Sequence, residues 1–443
     1  MPPSSPLKAV RGTRDLLPPE TALWNRIEQT AREVFARYGF GEIRTPIFEA
    51  TELFARGVGE DTDIVSKEMY TWEDRARAQS EKAQSLTLRP ENTAGVVRAY
   101  IEHKLGETGQ LQKLFYIGPQ FRRERPQRGR YRQFWQIGVE VLGPPSSGSE
   151  SPVRDAEVLE MLATLLDELG VRNWQLQLNS VGSSDDRKRY NAVLREALAS
   201  VKDRMCPDNQ RRAETNPLRV LDSKEPADQE IIDALPKIAD HLGEDSRAHF
   251  AAVRAALDAC GVPYTVNPRL VRGLDYYSRT TFEFTVPSSA DPTTGLGTQN
   301  ALLGGGRYDG LSEMLGGPKA PGIGFAIGED RLVLTLQAQA EADASATVAP
   351  KLDAYIAPMG PERNAAALSL ARELRRAGLS VEVGDGTFRL KKSFEAADRV
   401  ARHIVILGED EIATNTATVK TFSTGEQVKL SKIQLPELLK SVE

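Results

Sequence analysis

The first regular pattern in the chain follows the proline pair Pro18 and Pro19. After it come apolar residues at the three- and four-residue spacing of one helix face: Leu23, Trp24, Ile27, Ala31, Val34 and Phe35. We therefore predict an amphipathic helix that begins just after the prolines.

Farther along, polar and apolar residues alternate in short segments bounded by turn residues, which is typical of half-buried strands. Three clear examples are LQKLFYIG, RQFWQIGVEVLG and WQLQLNSVG. Helical patterns return between Asp185 and Cys260, where TNPLRVLDSKEP interrupts them. These patterns predict a mostly antiparallel α+β domain into which a helical module is inserted.

The last hundred residues alternate strand and helix patterns. DAYIAPM, LSVEV and HIVIL read as strands, and residues 362–377 as a helix with Leu368, Ala371 and Leu374 turned inward. A second helix precedes HIVIL, and ATVKTFSTGEQVKL reads as a hairpin with Thr424-Gly425 in its turn. Such alternation predicts a small α/β domain. The segment AQAEADASATVAP in front of it is small, polar and ends in proline, so we predict a linker there.

Length and composition restrict the class of protein. With 443 residues the chain is too long for one core, and 40% hydrophobic with 27% charged residues indicates a globular protein. No apolar run approaches the eighteen or so residues that span a bilayer, and the N-terminus lacks the apolar core of a signal peptide. From these features we expect a cytoplasmic protein that does not enter a membrane.

The cysteines, the histidines and the net charge restrict which metal sites, disulfides and ligands are expected. Cys206 and Cys260 form no CxxC pair, and the four histidines have no metal-ligand spacing, so neither a structural zinc nor a disulfide is expected. The formal charge of -5 argues against extensive coating of nucleic acid, although it permits a local basic groove.

Phosphate binding requires fixed positive charge or aligned backbone amides. The common phosphate-binding glycine motifs are missing, because neither GLGTQN nor GIGFAIG has their spacing, so arginines would have to do this work. Arg122 follows a strand pattern, and the basic turn RPQRGR leads into the next strand. This arrangement can put Arg122 on an α-phosphate while the turn meets the end of a nucleic acid. The alternative is a surface hairpin with solvated arginines.

A second arginine lies in RGLDYYSRTTFEF, in front of adjacent tyrosines and a strand-like run. Because side chains along a strand alternate between two faces, an arginine and a tyrosine hydroxyl can point into one cavity and bind an anion beside a ring nitrogen. The alternative is an ordinary strand preceded by a glycine turn.

These segments carry a family resemblance. FRRERPQRGRYRQFWQIGVEVLG and GIGFAIGEDRL resemble motifs 2 and 3 of the class II aminoacyl-tRNA synthetases, and GFGEIRTPIFEATELF resembles motif 1, which forms the dimer interface in that family. RGLDYY resembles the histidine-specific signature of the histidyl-tRNA synthetases, and LKKSFEAADRVARHIVILGEDEI resembles their anticodon-binding domain. Two departures are Asn92, where a glycine is frequent, and Trp135, where histidine is common.

The resemblance implies an α+β fold: a class II antiparallel sheet with a helical insertion, followed by a C-terminal α/β anticodon-binding domain. The expected division is a catalytic core at 1–180 with motifs 1 and 2, the insertion at 181–260, the rest of the core at 261–337, a linker at 338–350 and the anticodon-binding domain at 351–443. A homodimer is also implied.

The resemblance also assigns residues to ATP. It implies that Arg122 grips the α-phosphate, Glu124 accepts a hydrogen bond from the adenine amino group, and Phe134 stacks on the base. Arg331 would cover the other adenine face. Arg122 and Arg272 would be the catalytic residues, the latter standing where other class II enzymes place a metal ion. ATP would arrive with Mg²⁺, and no tightly bound protein metal is expected.

For histidine, the resemblance implies that the α-amino group binds to Glu91, Thr93 and Gln136. Glu140 and Tyr277 would read the imidazole, with Tyr276 and Tyr308 beside it. Considered alone, Glu91 also fits a carboxylate that caps a helix, and Glu140 also fits an exposed strand residue.

The activity implied is the ATP-dependent attachment of L-histidine to tRNA(His) through histidyl-adenylate, with release of AMP and pyrophosphate. The histidine carboxylate is already ionised, so the first step needs no general base, while the base of the transfer step is not assigned. Two alternatives stay open: a histidine-sensing regulatory subunit of ATP phosphoribosyltransferase and a generic ATP-dependent amino-acid ligase. The regulatory subunit generally lacks both the arginine signature and the C-terminal domain, which this chain has.

Overall fold

The computed structural model describes residues 7–59, 62–74, 83–271, 276–287, 300–342 and 351–440. The chain divides into two compact units, Met1–Ala346 and Thr347–Glu443, and each is treated by itself. Within the described ranges, no helix is both long and apolar enough to cross a membrane.

The first unit contains two sheets. Its strands are β1 (Gly41–Glu42), β2 (Phe48–Ala50), β3 (Tyr70–Asp74), β4 (Gln84–Leu88), β5 (Gln112–Phe121), β6 (Gln133–Leu142), β7 (Gln175–Ser180), β8 (Tyr264–Val266), β9 (Ser278–Thr285), β10 (Ala301–Arg307) and β11 (Gly322–Gly328). Its helices are α1 (Glu20–Arg37), α2 (Thr51–Val58), α3 (Thr93–Glu102), α4 (Pro152–Leu169), α5 (Ser184–Ala199), α6 (Pro207–Thr215), α7 (Leu218–Leu221), α8 (Gln229–Asp233), α9 (Glu244–Cys260), α10 (Leu311–Met314) and α11 (Glu329–Ala342).

The larger sheet has eight strands in the order β1-β5-β6-β11-β10-β9-β7-β8. Among the described strands, the two outermost pairs, β1 with β5 and β7 with β8, are parallel. The inner pairs are antiparallel, which confirms the mostly antiparallel sheet predicted from the alternating segments. The smaller sheet has the order β2-β4-β3.

Alternation along the central strands separates a core face from a polar face. On β6, Ile137, Val139 and Val141 belong to the core that the sheet shares with α1, α4, α9 and α11. Gln136 and Glu140 have the opposite parity and therefore lie on the other face. The predicted first helix is confirmed as α1, whose apolar face enters the same core.

The helical segment between Asp185 and Cys260 is packed in two ways. Helices α5 to α8 enclose a core of their own, to which Tyr190, Leu194 and Val220 contribute. Helix α9 instead buries Phe250 and Val253 in the core of the large sheet, where it packs against α4. The helices of the predicted insertion at 181–260 therefore pack into two different hydrophobic cores.

The second unit is a five-stranded sheet with helices. Its strands are β12 (Leu352–Pro358), β13 (Val381–Val383), β14 (Ala401–Leu407), β15 (Thr416–Thr421) and β16 (Gln427–Ser431). Its helices are α12 (Asn364–Arg376), α13 (Leu390–Val400), α14 (Glu409–Ala413) and α15 (Leu435–Lys440). The order is β13-β12-β14-β15-β16, in which β15 and β16 form the predicted antiparallel hairpin.

The structure differs from the sequence predictions at one helix face and at the start of the linker. Leu368 does not point inward on α12 but is 56% exposed, because the helix buries Ala367, Leu370, Ala371 and Leu374. At 100° per residue, position 368 lies about 110° from the centre of that face.

The predicted linker begins later than expected. Helix α11 continues to Ala342, so the first five residues of the predicted linker are helical. Alanine, glutamine and glutamate are good helix formers, which outweighs the small, polar composition that suggested a linker.

Candidate active site

A cavity of about 340 Å³ opens on the polar face of the large sheet. It is bounded by the start of α3, by β5, β6, β10 and β11, and by the basic turn between β5 and β6. Ten of the residues predicted to bind ATP or histidine line it: Glu91, Thr93, Arg122, Glu124, Phe134, Gln136, Tyr276, Tyr277, Tyr308 and Arg331. Arg272 lies outside the described residues, so its position stays a prediction.

The floor of the cavity depends on a glycine opposite a carboxylate. Strands β6 and β11 pair with Glu140 directly opposite Gly324. A Cβ atom at Gly324 would lie 1.9 Å from Oε2 of Glu140, so any other residue would displace that carboxyl group. The close approach lets a large acid lie behind the cavity wall at Gly324 without filling the cavity.

One half of the cavity is cationic. The Nε atom of Arg122 donates to the carbonyl of Pro90 at 2.9 Å, and the guanidinium lies 5.1 Å from the ring centroid of Phe134. These contacts hold Arg122 in the cavity wall, whereas Arg125 and Arg128 near the hairpin tip are exposed. The solvated-hairpin interpretation therefore describes the tip, but it does not describe Arg122.

Two further groups complete this half. Arg331, near the start of α11, donates from Nη1 to the carbonyl of Ala301 at 2.9 Å. Burial lowers its pKa from the usual value, although an arginine remains charged at neutral pH. Glu124 lies 3.5 Å from Arg130 of the basic turn, which places a carboxylate beside these cations.

The other half of the cavity is acidic and aromatic. The carboxylate of Glu91 accepts hydrogen bonds from the backbone amides of Thr93 at 2.8 Å and Ala94 at 3.0 Å. Glu91 therefore caps α3, as one interpretation of the sequence proposed, and it also lines the cavity. Burial raises its pKa, while the two amides act in the opposite direction.

Glu140 is completely buried, so the interpretation of it as an exposed strand residue is wrong. The Thr93 hydroxyl donates to its Oε1 at 2.7 Å, and the Tyr308 hydroxyl donates to its Oε2 at 2.6 Å. Burial raises the pKa of Glu140 to about 8. Both of its partners line the cavity, and Glu140 lies directly behind them.

The three predicted tyrosines form one cluster. The rings of Tyr276 and Tyr277 lie 4.7 Å apart, and the ring of Tyr276 meets that of Tyr308 edge-on at 5.9 Å. Burial raises the pKa values of Tyr276 and Tyr308 well above the usual value, so these hydroxyls stay protonated and can donate. Gln136 is nearly buried, and no described residue bonds to its Oε1.

Several lining residues were missed by sequence reasoning, among them Glu68, Tyr116 and Glu283. Tyr116 could have been found from strand pairing, since it lies opposite Gly138, where a Cβ atom would come within 2.3 Å of its ring. Glu68 ends a π-helical turn, Ile64–Glu68, and nothing in the sequence around it points to the cavity.

Within the described ranges, no three acidic, histidine or cysteine side chains form a cluster that could hold a metal ion. Mg²⁺ usually keeps several waters and binds through one or two carboxylates together with substrate phosphates. Glu68 and Glu283 are cavity carboxylates of the kind that such binding uses.

Known proteins resemble the chain over almost its whole length. The family model described as histidyl-tRNA synthetase matches residues 12–332, and the model described as anticodon binding domain matches residues 353–442. A histidine–tRNA ligase of Koribacter versatilis is 68% identical over 430 residues, covering 97% of this chain and 95% of that protein. The histidine–tRNA ligase of Solibacter usitatus is 54% identical over 431 residues, covering 97% and 98%.

A solved structure is also similar. The crystal structure of apo histidyl-tRNA synthetase from S. aureus superposes with a TM-score of 0.78 at 38% sequence identity, covering 98% of this chain and 100% of that one.

Proposed function

The chain belongs to the histidyl-tRNA synthetase family, and from that premise we propose that it attaches L-histidine to tRNA(His) at the expense of ATP. The reaction would form histidyl-adenylate and then histidyl-tRNA, with release of pyrophosphate and AMP.

The observation that carries this proposal is the division of one cavity into two chemically different halves. Arg122, Phe134 and Arg331 offer cations and an aromatic face to a nucleotide, while Glu91, Gln136 and the tyrosines offer hydrogen-bonding groups to a small polar ligand. A site that activates an amino acid needs both kinds of surface side by side.

On the nucleotide side, Arg122 would bind the α-phosphate and Phe134 would stack on adenine. Glu124 would accept a hydrogen bond from the adenine amino group, and Arg331 would cover the other face of the base with its planar guanidinium. The contact between Arg122 and Phe134 supports this assignment, because it holds the cation proposed to bind phosphate beside the ring proposed to stack on adenine.

On the amino-acid side, Glu91 would neutralise the ammonium group of histidine, assisted by Thr93 and Gln136. Tyr277 and Glu140 would read the two ring nitrogens, with Tyr276 and Tyr308 packed around the ring. The Oε1 of Gln136, which has no hydrogen-bond partner among the described residues, supports this assignment, since a buried acceptor without a donor is costly until a ligand supplies one.

The first chemical step would be an in-line attack by the histidine carboxylate on the α-phosphorus. No proton has to be removed, so the contribution of the protein is charge stabilisation, which commonly accounts for several kcal/mol of a barrier. Arg122 and Arg272 would supply it. Mg²⁺ bound with ATP would shield the leaving phosphates, and Glu68 and Glu283 are carboxylates of the cavity that could hold it.

The rival functions are less well supported. A regulatory subunit that senses histidine would not need the C-terminal domain, yet the anticodon model matches residues 353–442. The two relatives named above, of which 95% and 98% of the length is covered, are histidine–tRNA ligases. A generic amino-acid ligase would not need that domain either. Because tRNA charging serves translation, we expect the enzyme to work in the cytoplasm.

We also propose that the enzyme is a homodimer. In the small sheet and the segment that leads into it, Ile47, Phe48 and Trp72 are 45%, 53% and 40% exposed, and the rings of Phe48 and Trp72 lie 6.1 Å apart. Exposed apolar side chains grouped in this way commonly mark a protein contact. Ile47 and Phe48 belong to the segment that resembles motif 1, for which a dimer interface was expected.

Two measurements test the activity. The purified protein should exchange pyrophosphate into ATP with L-histidine and not with the other amino acids, which separates a catalyst from a sensor. It should then charge tRNA(His) in total tRNA, which separates a synthetase from a generic ligase. Absence of histidine-dependent exchange in the folded protein would refute the proposal.

A further inference from the structure

A buried cluster of charged side chains lies behind the tyrosines, and none of its members has a part in the reaction described above. It consists of Asp155 on α4, Arg307 at the end of β10, Asp309 two residues later, and Arg279 on β9. Asp155 and Arg307 are completely buried, while Asp309 and Arg279 are about a quarter exposed. We call these four residues the ion cluster.

Arg307 is the centre of the ion cluster. Its Nε lies 3.1 and 3.2 Å from the two carboxylate oxygens of Asp155, to which Nη2 also donates. Its Nη1 donates to the carbonyl of Ser149 at 2.9 Å and to Asp309 at 3.0 Å. This planar fork therefore fixes the end of β10 against the first turn of α4 in position and in angle.

The ion cluster also ties β10 to the start of β9. Arg279 lies 3.6 Å from Asp309, and the backbone amide of Asp309 donates to the Ser278 hydroxyl at 3.1 Å.

The pairing between β9 and β10 shifts at this point. Gly306 faces Thr281 but Arg307 faces Ser278, which leaves a bulge of two residues on β9. Arg279 lies in this bulge with φ of 48°, a left-handed conformation that is uncommon for arginine. Bulges beside active sites often redirect side chains.

Stability alone does not explain the ion cluster. Removing two charges from water costs several kcal/mol per ion, and well-packed apolar residues in the place of a buried ion pair are often at least as stable. A directional network instead fixes geometry. The residues next to its anchor points are those of the amino-acid half of the cavity: Tyr308 follows Arg307, and Tyr277 precedes Ser278.

The consequence for the cavity passes through Tyr308. Its amide donates to the carbonyl of Gly322 at 2.8 Å, and its hydroxyl donates to Glu140 at 2.6 Å. A shift of the chain at Arg307 would misalign this short bond, and with it the carboxyl group proposed to read the histidine ring.

We propose that the ion cluster is a positioning device for the amino-acid pocket: it holds Tyr308 on Glu140 and thereby sets the affinity for the side chain of the substrate. This inference rests on the proposed function, since it assigns the pocket to histidine. Asp155, Arg307, Asp309 and Arg279 are positioning residues and would not touch the substrate themselves.

The test variant is Asp155→Asn, which keeps the shape of the side chain and removes its charge. Its matched control is Glu157→Gln on the same helix, which breaks the 2.9 Å ion pair with Lys113 on β5, outside the ion cluster. Histidine-dependent pyrophosphate exchange gives KM for histidine and for ATP, and thermal unfolding reports stability. Pyrophosphate exchange by the wild-type protein with histidine tests the proposed function separately. Failure of the proposed function is therefore distinguishable from failure of the proposed role of the ion cluster.

We expect Asp155→Asn to raise KM for histidine at least about tenfold, as when a hydrogen bond to a charged group is lost, with less than about twofold change in KM for ATP. Glu157→Gln should leave both KM values within about twofold. A merely structural role would lower Tm without this selectivity. Equal changes in the two KM values, or no change for histidine, would overturn the inference.

A double variant tests whether the effect of Asp155 on histidine binding passes through Tyr308. If Asp155 acts through the hydroxyl of Tyr308, Asp155→Asn in a Tyr308→Phe background should raise KM for histidine less than about threefold. A full tenfold rise in that background would show that the effect does not pass through Tyr308. If Asp155→Asn does not fold, Asp309→Asn at the partly exposed end of the ion cluster replaces it. A folded Asp309→Asn protein with unchanged KM for histidine would equally overturn the inference.

Discussion

Replacing Glu140 by Gln tests whether a buried acid reads the ring of the substrate. Burial raises the pKa of Glu140 to about 8, so the group is neutral at pH 7. The histidine ring loses its proton near pH 6.5. Between these values the ring is neutral and the carboxyl group is protonated, so its O–H can donate to the ring nitrogen that carries no proton. Binding then neither releases nor takes up a proton.

The pH dependence follows from this proton count. Because this bond needs a protonated carboxyl group and a neutral ring, binding that uses it must take up a proton above about pH 8 and release one below about pH 6.5, so KM for histidine should rise about tenfold per pH unit on either side. At pH 9.5 the rise should be about thirtyfold. In Glu140→Gln the part of the rise in KM above pH 8 that comes from Glu140 should disappear. The α-amino group of histidine titrates in the same range in both proteins, so the ratio of their KM values isolates Glu140.

The size of the effect at pH 7 comes from the bond that is lost. A hydrogen bond between neutral groups contributes about 0.5–1.5 kcal/mol, which corresponds to an increase of about 2- to 13-fold in KM for histidine, while KM for ATP should change less than about twofold. The assay is pyrophosphate exchange at saturating ATP from pH 6 to 9.5, with Glu157→Gln as a control that should reproduce the parent profile. If the KM ratio of variant to parent does not fall above pH 8, or if it is below about two at pH 7, Glu140 does not read the ring.

Four further predictions concern other parts of the molecule. Arg272→Lys should slow exchange more than about tenfold, or ~1.4 kcal/mol, because it loses the planar fork, and a smaller loss in a folded protein would contradict a transition-state role. A chain that ends at Ala346 should keep exchange activity while tRNA charging drops, provided that sedimentation finds the dimer intact. Phe48→Glu should dissociate the dimer in sedimentation experiments, whereas Leu368→Glu, at an equally exposed leucine, should not. Glu329 is fully buried, and neither of its carboxylate oxygens has a partner among the described residues. Burial raises its pKa to about 9, so the folded state holds the proton of Glu329 more tightly than the unfolded state does. Stability should therefore fall as pH rises from about 4.5 to 9, and Glu329→Gln should gain about 3–5 kcal/mol over the parent near pH 8, measured as a Tm difference that grows with pH.

Features that depend on short-range periodicity could be predicted from the sequence. Side chains on β6 alternate every two residues, so the even-numbered Phe134, Gln136 and Glu140 share one face as soon as this segment is predicted to be a strand. Helix α1 and the hairpin of β15 and β16 follow from the same kind of local evidence. The resemblance to known motifs named the residues of the cavity, and those within the described ranges lie in or directly behind it.

Features that depend on distant partners could not be predicted in this way. Glu140 and Tyr308 are 168 positions apart, and Asp155 and Arg307 are 152 apart, so no local pattern shows that either pair meets. The burial of Glu140, which raises its pKa, depends on β11 lying beside β6 with a glycine opposite the acid.

Local pattern was also insufficient where two interpretations had the same period. Leu368 and Leu374 both fit a helical stripe with Ala371, and only packing on the sheet selected the face that contains Ala367 and Leu370. The sequence by itself therefore determined which side chains share a strand or helix face and which chemical groups are available. The tertiary structure decided which of these groups are removed from water and placed against each other, because burial and hydrogen bonding depend on neighbours that the chain supplies from far away.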